Sequence, residues 1–429
     1  MKKSKLTALE RSWILYDIGN SAFILLVSTL IPIYFNSLAT AGGLNESLYL
    51  SYWGYAGSVA TLLVAVIGPI CGTLADHRGF KKPIFVACML FGVLGCAAMG
   101  VTAGWLAFLI VFVLAKVGYS SSLVFYDAML PEVTTDERMD KISSMGYAYG
   151  YIGSVIPFIL CLLLVLFGDK IGVGAGTAMI VSFLITAVWW FLCTQPLLRR
   201  YRQTAFAEHD GNPVSSTFRR LGETFREVRQ QKHIFLYLLA FFFFIDGVYT
   251  IIDMATAYGT ALGLDTTGLL LALLLTQFVA FPCSIAFGRF SAKYDTGLLI
   301  KICILCYTGI TLFAVFLVSQ WQFWVLAVLV GMFQGGIQAL SRSYLGKIIP
   351  AERSGEYFGL MDICGKGASF LGTTLIAVVS QLTDGRSFHV FALELQNENI
   401  AVGMLVIIFA IGFVLFCKAD RLNKQYIHI

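Results

Sequence analysis

Charged residues are scarce in this sequence, and their scarcity decides the class of protein. Only 13% of the 429 residues are Asp, Glu, Lys or Arg, whereas 58% are hydrophobic and the mean hydropathy is +0.79. Ordinary soluble domains contain about 25% charged residues. So apolar a composition excludes a soluble domain and indicates an integral membrane protein.

Histidine is also rare, and a nucleotide-binding glycine loop is missing. The five His residues lie outside the apolar runs or at their edges, so they cannot assemble a metal or haem cluster inside a membrane. Without a glycine loop followed by Lys, ATP-driven pumping is disfavoured. We therefore expect no metal, no cofactor, no catalytic residues and a function other than that of an enzyme.

Cysteines are present, but no pattern among them indicates chemistry. All ten lie within apolar runs, where no disulfide framework can be inferred. Cys303 and Cys306 form a CxxC pair without a nearby His or a second pair. Core packing is the default interpretation of this pair, and a metal or redox role is the alternative.

Long apolar runs recur along the whole chain. A helix that crosses a bilayer core of roughly 30 Å needs about 20 apolar residues. The runs are continuous rather than alternating, which favours helices over a β-barrel. The first run lacks a small-x-small cleavage site, so we expect it to stay in the chain. We predict twelve transmembrane helices, near residues 13–36, 50–75, 84–102, 105–128, 144–167, 174–195, 234–256, 268–288, 298–318, 322–345, 357–381 and 400–417.

The Lys and Arg residues predict the orientation of these helices. Seven polar segments, alternating with the other connections, contain 26 of the 30 basic residues, and the opposite side holds only Lys170 and Arg386. The positive-inside rule places both termini in the cytoplasm of a cell that carries the protein in its inner or plasma membrane. The net charge of +5 therefore reflects topology and predicts no nucleic-acid partner.

One long polar interval divides the chain into halves of six helices. It predicts an N-terminal bundle at 1–195, a cytoplasmic linker at 196–232 and a C-terminal bundle at 233–429. Within the linker, the apolar residues Phe218, Leu221, Phe225 and Val228 recur at helical spacing opposite a basic face. This pattern favours an amphipathic helix on the membrane surface, and a solvated connector is the alternative.

The two halves show weak internal repetition. A shift of 219 residues aligns Pro131 with Pro350 and Gly153 with Gly372. At the start of each half, Asp17 in LYDIGNS corresponds to Asp246 in FIDGVYT. Repeats of this kind are typical of transporters, so we predict two pseudo-symmetric six-helix bundles.

Several predicted helices carry charged or polar residues inside the membrane. A charge near the helix centre costs about 2.5 to 3.5 kcal/mol, so such groups turn toward other helices or water. Helical spacing places many of them on shared faces, which would together line a water-filled path between the bundles. The candidates for substrate binding or proton coupling are Asp17, Asn20, Lys116, Asp127, Tyr147, Asp246, Tyr249, Asp253, Gln334, Gln338, Arg342, Asp362 and Lys366.

Some of these candidates have a structural alternative. Asp362 and Lys366, four residues apart, can neutralise each other along one helix. Asp127 lies near a predicted helix end, where it can be solvated or act as a cap, and Tyr147 can simply pack. Lys116 lies deep in its predicted helix with no acid three or four residues away, which favours a functional role.

The chemistry of the candidates predicts the kind of cargo. A carboxyl group that is buried but reachable by water suits proton coupling, because desolvation favours its protonated form. Asp17, Asp246 and Asp253 fit this role. The basic candidates can instead bind a carboxylate or phosphate; they are Lys116, Lys366 and Arg342. Acids and bases together suit a zwitterionic or anionic small molecule.

The segment GTLADHRGFKKP, residues 72–83, lies between the second and third predicted helices. Gly79 permits a tight turn, Asp76 can meet the positive N-terminal end of another helix, and the basic residues can hold the inner membrane surface. This segment resembles the loop motif of the major facilitator superfamily, G-x-x-x-D-R-x-G-x-K/R-K/R, although His77 departs from it. In that family the motif helps to latch the two halves. The residues concerned are Gly72, Asp76, Arg78, Gly79, Lys81 and Lys82.

Three further stretches, WILYDIGNSAF, DGVYTI and QALSRSYLGKIIPAERSGEYFGL, resemble the vacuole-effluxer-like branch of that superfamily. The resemblance implies the major facilitator fold and alternating access. We expect a monomeric secondary active transporter in a lipid bilayer, moving an amino acid or a similar small molecule with protons as the coupling ion. A lipid or glycolipid flippase on the same fold is the alternative, and a receptor without solute flux is a further one.

Overall fold

The computed structural model describes residues 5–44, 46–207, 222–224, 226–383, 388–390, 393–395 and 397–427. The chain is almost entirely helical over these ranges. The helices of the first half are α1 (Ala8–Ser28), α2 (Leu30–Ala41), α3 (Glu46–Ala75), α4 (Lys81–Ala98), α5 (Trp105–Ala128), α6 (Leu130–Val133), α7 (Asp136–Phe167) and α8 (Ala175–Arg200). Those that follow are α9 (Lys232–Ala261), α10 (Thr266–Phe290), α11 (Thr296–Val315), α12 (Gln320–Ile348), α13 (Ser354–Thr383), α14 (Asn397–Gly403) and α15 (Leu405–Ile427).

The described helices agree with a membrane protein of many spans. Ten are long and apolar enough to cross a bilayer, and α1 with α2 forms an eleventh if the bent pair counts as one span. The remaining predicted span corresponds to α13, which has 30 residues but carries Asp362 and Lys366. The predicted count of twelve is consistent with this set.

The first predicted span is bent instead of straight. Helices α1 and α2 meet at Thr29 at an angle of 41°. Pro32 explains the bend, because it has no N–H to donate to the carbonyl of Ser28 and its ring crowds that carbonyl. The span predicted over residues 13–36 therefore contains a break that its hydropathy did not indicate.

Two other regions differ from expectation or fall outside the description. A short antiparallel hairpin, β1 (Phe388–Val390) with β2 (Leu393–Leu395), follows α13 and was not predicted. The predicted amphipathic helix rests on Phe218, Leu221 and Phe225, which lie outside the described residues. Residues 222–224 and 226–230 are helical, and Val228 is buried.

The chain forms two compact units. Unit 1 comprises Met1–Thr135, Tyr149–Arg219 and Ala351–Gly359, and within it α1 packs on α8 and α4 on α5. Unit 2 comprises Asp136–Ala148, Arg220–Pro350 and Leu360–Ile429, and within it α9 packs on α15 and α10 on α12. The first turns of α7 thus belong to unit 2 and those of α13 to unit 1. The predicted domain limits at 195 and 233 stay a prediction.

Candidate functional site

Asp246 lies on α9 in the interior of unit 2, and its side chain is fully buried. Its Oδ1 accepts a hydrogen bond of 2.8 Å from the backbone N–H of Gly372 on α13 and a longer one, 3.4 Å, from Thr250 Oγ1. Its Oδ2 has no hydrogen-bond partner among the described residues. The carboxyl group therefore lies in a buried helix contact, where both of its donors are uncharged.

Glycine makes this contact possible. A Cβ atom at Gly372 would lie 2.7 Å from Asp246 Oδ1 and would collide with Thr250 Oγ1. Only a residue without a side chain lets α13 approach α9 so closely. Gly372 is one of the two glycines that the internal repeat aligns, so the repeat marks a helix contact.

Asp17 occupies a related position in unit 1. It lies on α1 and is buried, with 6% of its surface exposed. It faces Gly150 on α7, where a Cβ atom would lie 2.8 Å from Ser21 Oγ and 3.6 Å from Asp17 Cγ. In both units, an acid on the first helix lies against a glycine on the fifth predicted span, although Gly150 is not the residue that the repeat aligns with Gly372.

The rest of the polar face of α1 serves helix packing. Asn20 is buried, and its Nδ2 donates to the carbonyl of Tyr16 one turn earlier. The Tyr16 hydroxyl lies 2.6 Å from Ser122 Oγ on α5. Trp13 Nε1 donates to the carbonyl of Tyr126, and the two rings stack at 4.2 Å. These contacts join α1 to α5 at the level of the predicted polar face.

The two predicted residues of α5 lie in different surroundings. Lys116 is half-buried, and its Nζ lies 5.9 Å from the centre of the Phe112 ring, within the range of a cation–π interaction. Asp127 is half-buried one residue before the helix ends at Ala128. Its position at the end of the helix agrees with the structural alternative for this residue.

The side chains on the predicted polar face of α9 become more exposed from Asp246 to Asp253. Asp246 is buried, Tyr249 is half-buried, and Asp253 is exposed. Tyr249 lies against Gly365 of α13, where a Cβ atom would be 3.6 Å from its ring. Helical spacing placed Asp253 with Asp246, but the structure gives the two acids different surroundings because they lie two turns apart along the helix.

Asp362 and Lys366 of α13 form an ion pair over one helical turn. Their side chains are about equally exposed, at 20% and 19%. This is the mutual neutralisation that the i, i+4 spacing predicts. The pair is partly open, so it presents an acid and a base side by side on the same helix.

Arg342 of α12 binds the first turns of α7. It is buried, its Nε donates to Ser143 Oγ at 2.9 Å, and its NH2 donates to the carbonyl of Ser143 at 2.9 Å. Its guanidinium also lies 4.4 Å from the centre of the Tyr147 ring. The structure thus brings together two predicted site residues, Arg342 and Tyr147, in a helix-to-helix contact. On α12, Gln338 is half-buried one turn before Arg342, and Gln334 is buried two turns before it.

The loop motif lies against the N-terminus of α13 within unit 1. Asp76 Oδ1 accepts from the N–H of Gly355 at 2.8 Å, and its Oδ2 accepts from the N–H of Glu356 at 2.9 Å. A helix N-terminus leaves such donors unpaired and carries partial positive charge, so a carboxylate stabilises it. A Cβ atom at Gly72 would collide with the carbonyl of Gly355, so glycine is required there.

Lys81 behaves differently from the expectation that it holds the membrane surface. Its side chain is fully buried, and its Nζ donates to Glu132 Oε1 at 2.7 Å and to Ser354 Oγ at 2.8 Å. Asp76 lies 3.6 Å away. The expectation was wrong because two buried acids compensate the charge of Lys81 inside the protein. Gly79 does form the expected turn, with a φ of 81°.

The other two basic residues of the motif also contact protein. The guanidinium of Arg78 lies 5.2 Å from the centre of the Phe206 ring. Lys82 Nζ donates to the carbonyl of Tyr201 at 3.3 Å. Burial raises the pKa of Asp76 to about 7, although Lys81 and the two N–H donors lower it. Within the motif, Asp76 and Lys81 are therefore buried with Glu132, whereas Arg78 is exposed and Lys82 is half-buried.

Sequence reasoning missed several residues that organise these contacts. Glu132 accepts from Lys81 and from the Tyr201 hydroxyl, at 2.7 and 2.9 Å. Asp140 on α7 accepts from Thr296 and Ser343, both at 2.6 Å. Glu132 follows Pro131, the residue that anchors the repeat, which was a usable signal.

Within the described ranges, no group of three His, Cys, Asp or Glu side chains is placed to bind a metal ion. The ten cysteines include both members of the CxxC pair, and every one is a thiol.

Comparison with known proteins gives one consistent result. Residues 45–421 match the family described as Vacuole effluxer Atg22 like. The chain is 39% identical to the MFS-type transporter YxiO of Bacillus subtilis (strain 168), over 96% of this chain and 94% of that protein. It is 26% identical to Autophagy-related protein 22-1 of Aspergillus niger, over 56% of this chain and 42% of that protein. Its fold is similar to that of the major facilitator superfamily transporter FucP in the outward conformation, with a TM-score of 0.69 at 15% identity over 96% of this chain and 97% of that one.

Proposed function

This chain belongs to the Vacuole effluxer Atg22 like family within the major facilitator superfamily, and from that premise we propose that it is a proton-coupled secondary active transporter of a small zwitterionic or anionic solute such as an amino acid. It is a multi-pass membrane protein with the major facilitator fold. Transport then proceeds by alternating access, without a cofactor, in a monomer whose termini are cytoplasmic.

The observation that carries the proton coupling is the environment of Asp246. An ionised carboxylate in a dry interior costs several kcal/mol unless charged partners compensate it. Asp246 has only two uncharged donors, and its Oδ2 has no hydrogen-bond partner among the described residues. Protonation removes the charge, so gain and loss of a proton at this residue alter how tightly α9 binds α13.

Cargo recognition is assigned to the charged residues that remain partly exposed. Lys116 in unit 1 is a cation that can bind a carboxylate. The pair of Asp362 and Lys366 in unit 2 offers an acid for an ammonium group and a base for a carboxylate. Arg342 is a weaker candidate than the sequence suggested, since it is buried and two of its five N–H donors already bind Ser143.

Purified protein in proteoliposomes tests the proposal, with a mixture of radiolabelled amino acids as the probe. A pH gradient of one unit supports at most about tenfold accumulation per proton, because one pH unit corresponds to about 1.4 kcal/mol. The wild type is expected to accumulate at least one of the amino acids when the gradient is present. Asp246→Asn is expected to reach only equal concentrations while still exchanging that amino acid across the membrane.

Asp169→Asn is the control for the loss of one negative charge, because Asp169 is exposed on the connection between α7 and α8 and is not a candidate site residue. It is expected to retain accumulation. Gradient-driven accumulation by Asp246→Asn would remove Asp246 from the coupling role. Translocation of a fluorescent phospholipid, without uptake of any amino acid, would instead favour the flippase.

A further inference from the structure

The segment that follows α8, residues 201–207, is bound along the loop motif of unit 1. It begins with Tyr201, whose side chain is 1% exposed, and it lies within the predicted linker at 196–232. It has no helical or strand structure of its own. Its hydrogen bonds to the loop therefore hold it in place, and we name it the strap.

Gln203 of the strap connects the two helices that flank the loop motif. Its Oε1 accepts from the N–H of Gly79 at 3.0 Å and from the N–H of Lys81, the first residue of α4, at 3.2 Å. Its Nε2 donates to the carbonyl of Ala75, the last residue of α3, at 3.0 Å. Helix ends leave such donors and acceptors unpaired, so this one amide caps both helices.

Glu132 connects the strap to the charged cluster. Its Oε2 accepts from the N–H of Thr204 at 2.6 Å and from the N–H of Ala205 at 3.1 Å. Its Oε1 binds Lys81 at 2.7 Å. The carboxylate thus binds the strap with both oxygens, since Oε1 also accepts from the Tyr201 hydroxyl at 2.9 Å, and it binds the motif with Oε1.

The strap also binds the residue that contacts α13. The N–H of Ala207 donates to the carbonyl of Asp76 at 2.9 Å. The side chain of Asp76 accepts from Gly355 and Glu356 at the start of α13. A continuous series of hydrogen bonds therefore runs from the strap through the loop motif to the first turn of α13.

We propose that residues 201–207 position the loop motif, with Gln203 as the positioning residue, so that the beginning of the interdomain linker controls how firmly Asp76 binds the N-terminus of α13. Gln203 acts by fixing the turn that carries Asp76 and Lys81. A force or a bound partner that pulls the linker away from residues 76–82 then weakens the contact of Asp76 with the N-terminus of α13.

Hydrogen–deuterium exchange of the full chain in detergent tests the proposal without any cargo, so its failure is separate from failure of the transport proposal. Gln203→Met keeps the length of the side chain and removes its hydrogen bonds. Exchange in residues 76–82 and in residues 354–357 is expected to become about fivefold to tenfold faster, which corresponds to a net loss of about 1 to 1.4 kcal/mol. Gln203→Glu keeps the acceptor and is expected to restore the protection of Gly79 and Lys81.

Gln195→Met is the matched control, because Gln195 is half-buried on α8 and its Nε2 donates to the carbonyl of Phe191 on its own helix. It is expected to leave both segments unchanged. Faster exchange in residues 76–82 with none in residues 354–357 would make the strap a local brace and overturn the positioning role. Unchanged exchange in both segments would overturn it equally.

A second variant keeps the test decisive if Gln203→Met unfolds. Ala207→Pro removes the N–H that donates to Asp76 and leaves Gln203 in place. Exchange in residues 354–357 is expected to rise by about threefold, in keeping with a single neutral hydrogen bond. Wild-type exchange in that segment would contradict the proposal.

Discussion

The loops between the second and third predicted spans of the two halves differ in how far their charged side chains are exposed to solvent. In unit 1, Lys81, Asp76 and Glu132 have side chains exposed by 1% or less. In unit 2, the loop between α10 and α11 is flanked by ion pairs whose lysines stay open: Lys301 is 24% exposed and Lys424 is 48% exposed. The two loops occupy equivalent places in the repeat. In unit 1 the cation and both acids are buried, whereas in unit 2 the lysines stay partly exposed although their shared partner Asp420 is buried, with 2% of its side chain exposed.

This contrast shows where each loop derives its stability. Buried charges are costly to leave unpaired, so every member of the unit 1 cluster depends on the others. Ion pairs with a partly exposed member contribute less to the free energy of unfolding, because water can solvate an exposed charge whose partner is removed. The unit 1 loop therefore behaves as a single locked cluster, whereas the contacts of the unit 2 loop act more independently.

Removal of Lys81 is expected to lower the free energy of unfolding more than any other change compared between the two loops. Lys81→Met leaves Asp76 and Glu132 buried without their cation, and breaking such a buried pair costs about 3 to 5 kcal/mol. The free energy of unfolding in detergent micelles, followed by tryptophan fluorescence, measures the loss.

The matched variant in unit 2 is Lys347→Met. Lys347 pairs with Asp140 at 2.7 Å but is 24% exposed. It is expected to lose less than Lys81→Met, about 1 to 3 kcal/mol, because Asp140 is 6% exposed but keeps its hydrogen bonds from Thr296 and Ser343. Equal losses for the two lysines would contradict the distinction between the fully buried cation of unit 1 and the partly exposed lysines of unit 2.

A methyl group at the closest glycine of each loop is expected to have a smaller effect. A Cβ atom at Gly72 collides with the backbone carbonyl of Gly355, whereas one at Gly297 collides with the side chain of Asp420. Overpacking costs about 1 to 3 kcal/mol, with the upper end where the backbone itself must move. Gly72→Ala should therefore destabilise the protein more than Gly297→Ala. Thermal unfolding of the two purified variants side by side measures the order, and the reverse order would contradict this account.

The pH dependence of stability is expected to show the effect of burying Asp76. Its pKa in the folded protein is about 7, against an ordinary value of 3.8, so between these values the folded chain binds a proton that the unfolded chain releases. The resulting stability is complete below pH 3.8, falls as the pH rises and is gone above pH 7. The slope from this one group is at most about 1.4 kcal/mol per pH unit.

Asp76→Asn removes this titration. The difference in free energy of unfolding between wild type and Asp76→Asn is expected to fall from about pH 5 to about pH 7 and to level off by about pH 8. Asp169→Asn, at an exposed position on the connection between α7 and α8, controls for the loss of one negative charge. Parallel curves for wild type and Asp76→Asn would refute the buried titration.

The sequence was most informative where a property depends on composition or on one helix. Apolar runs indicated the membrane and the helices, because a helix of about 20 apolar residues matches the bilayer by itself. The ion pair of Asp362 with Lys366 and the turn at Gly79 are likewise local. The correspondence of Asp17 with Asp246 was visible as well, since both residues belong to the repeat.

Sequence alone was therefore enough to establish the membrane class, the helical architecture, the family and the position of the loop motif. The packed helices were needed to show that Lys81 is buried, that Gln203 caps two helices and that Arg342 binds Ser143. Each of these depends on residues more than a hundred positions apart in the chain. Such contacts arise from the packing of whole helices, and neither hydropathy nor the spacing of residues within one helix specifies which side chains then meet.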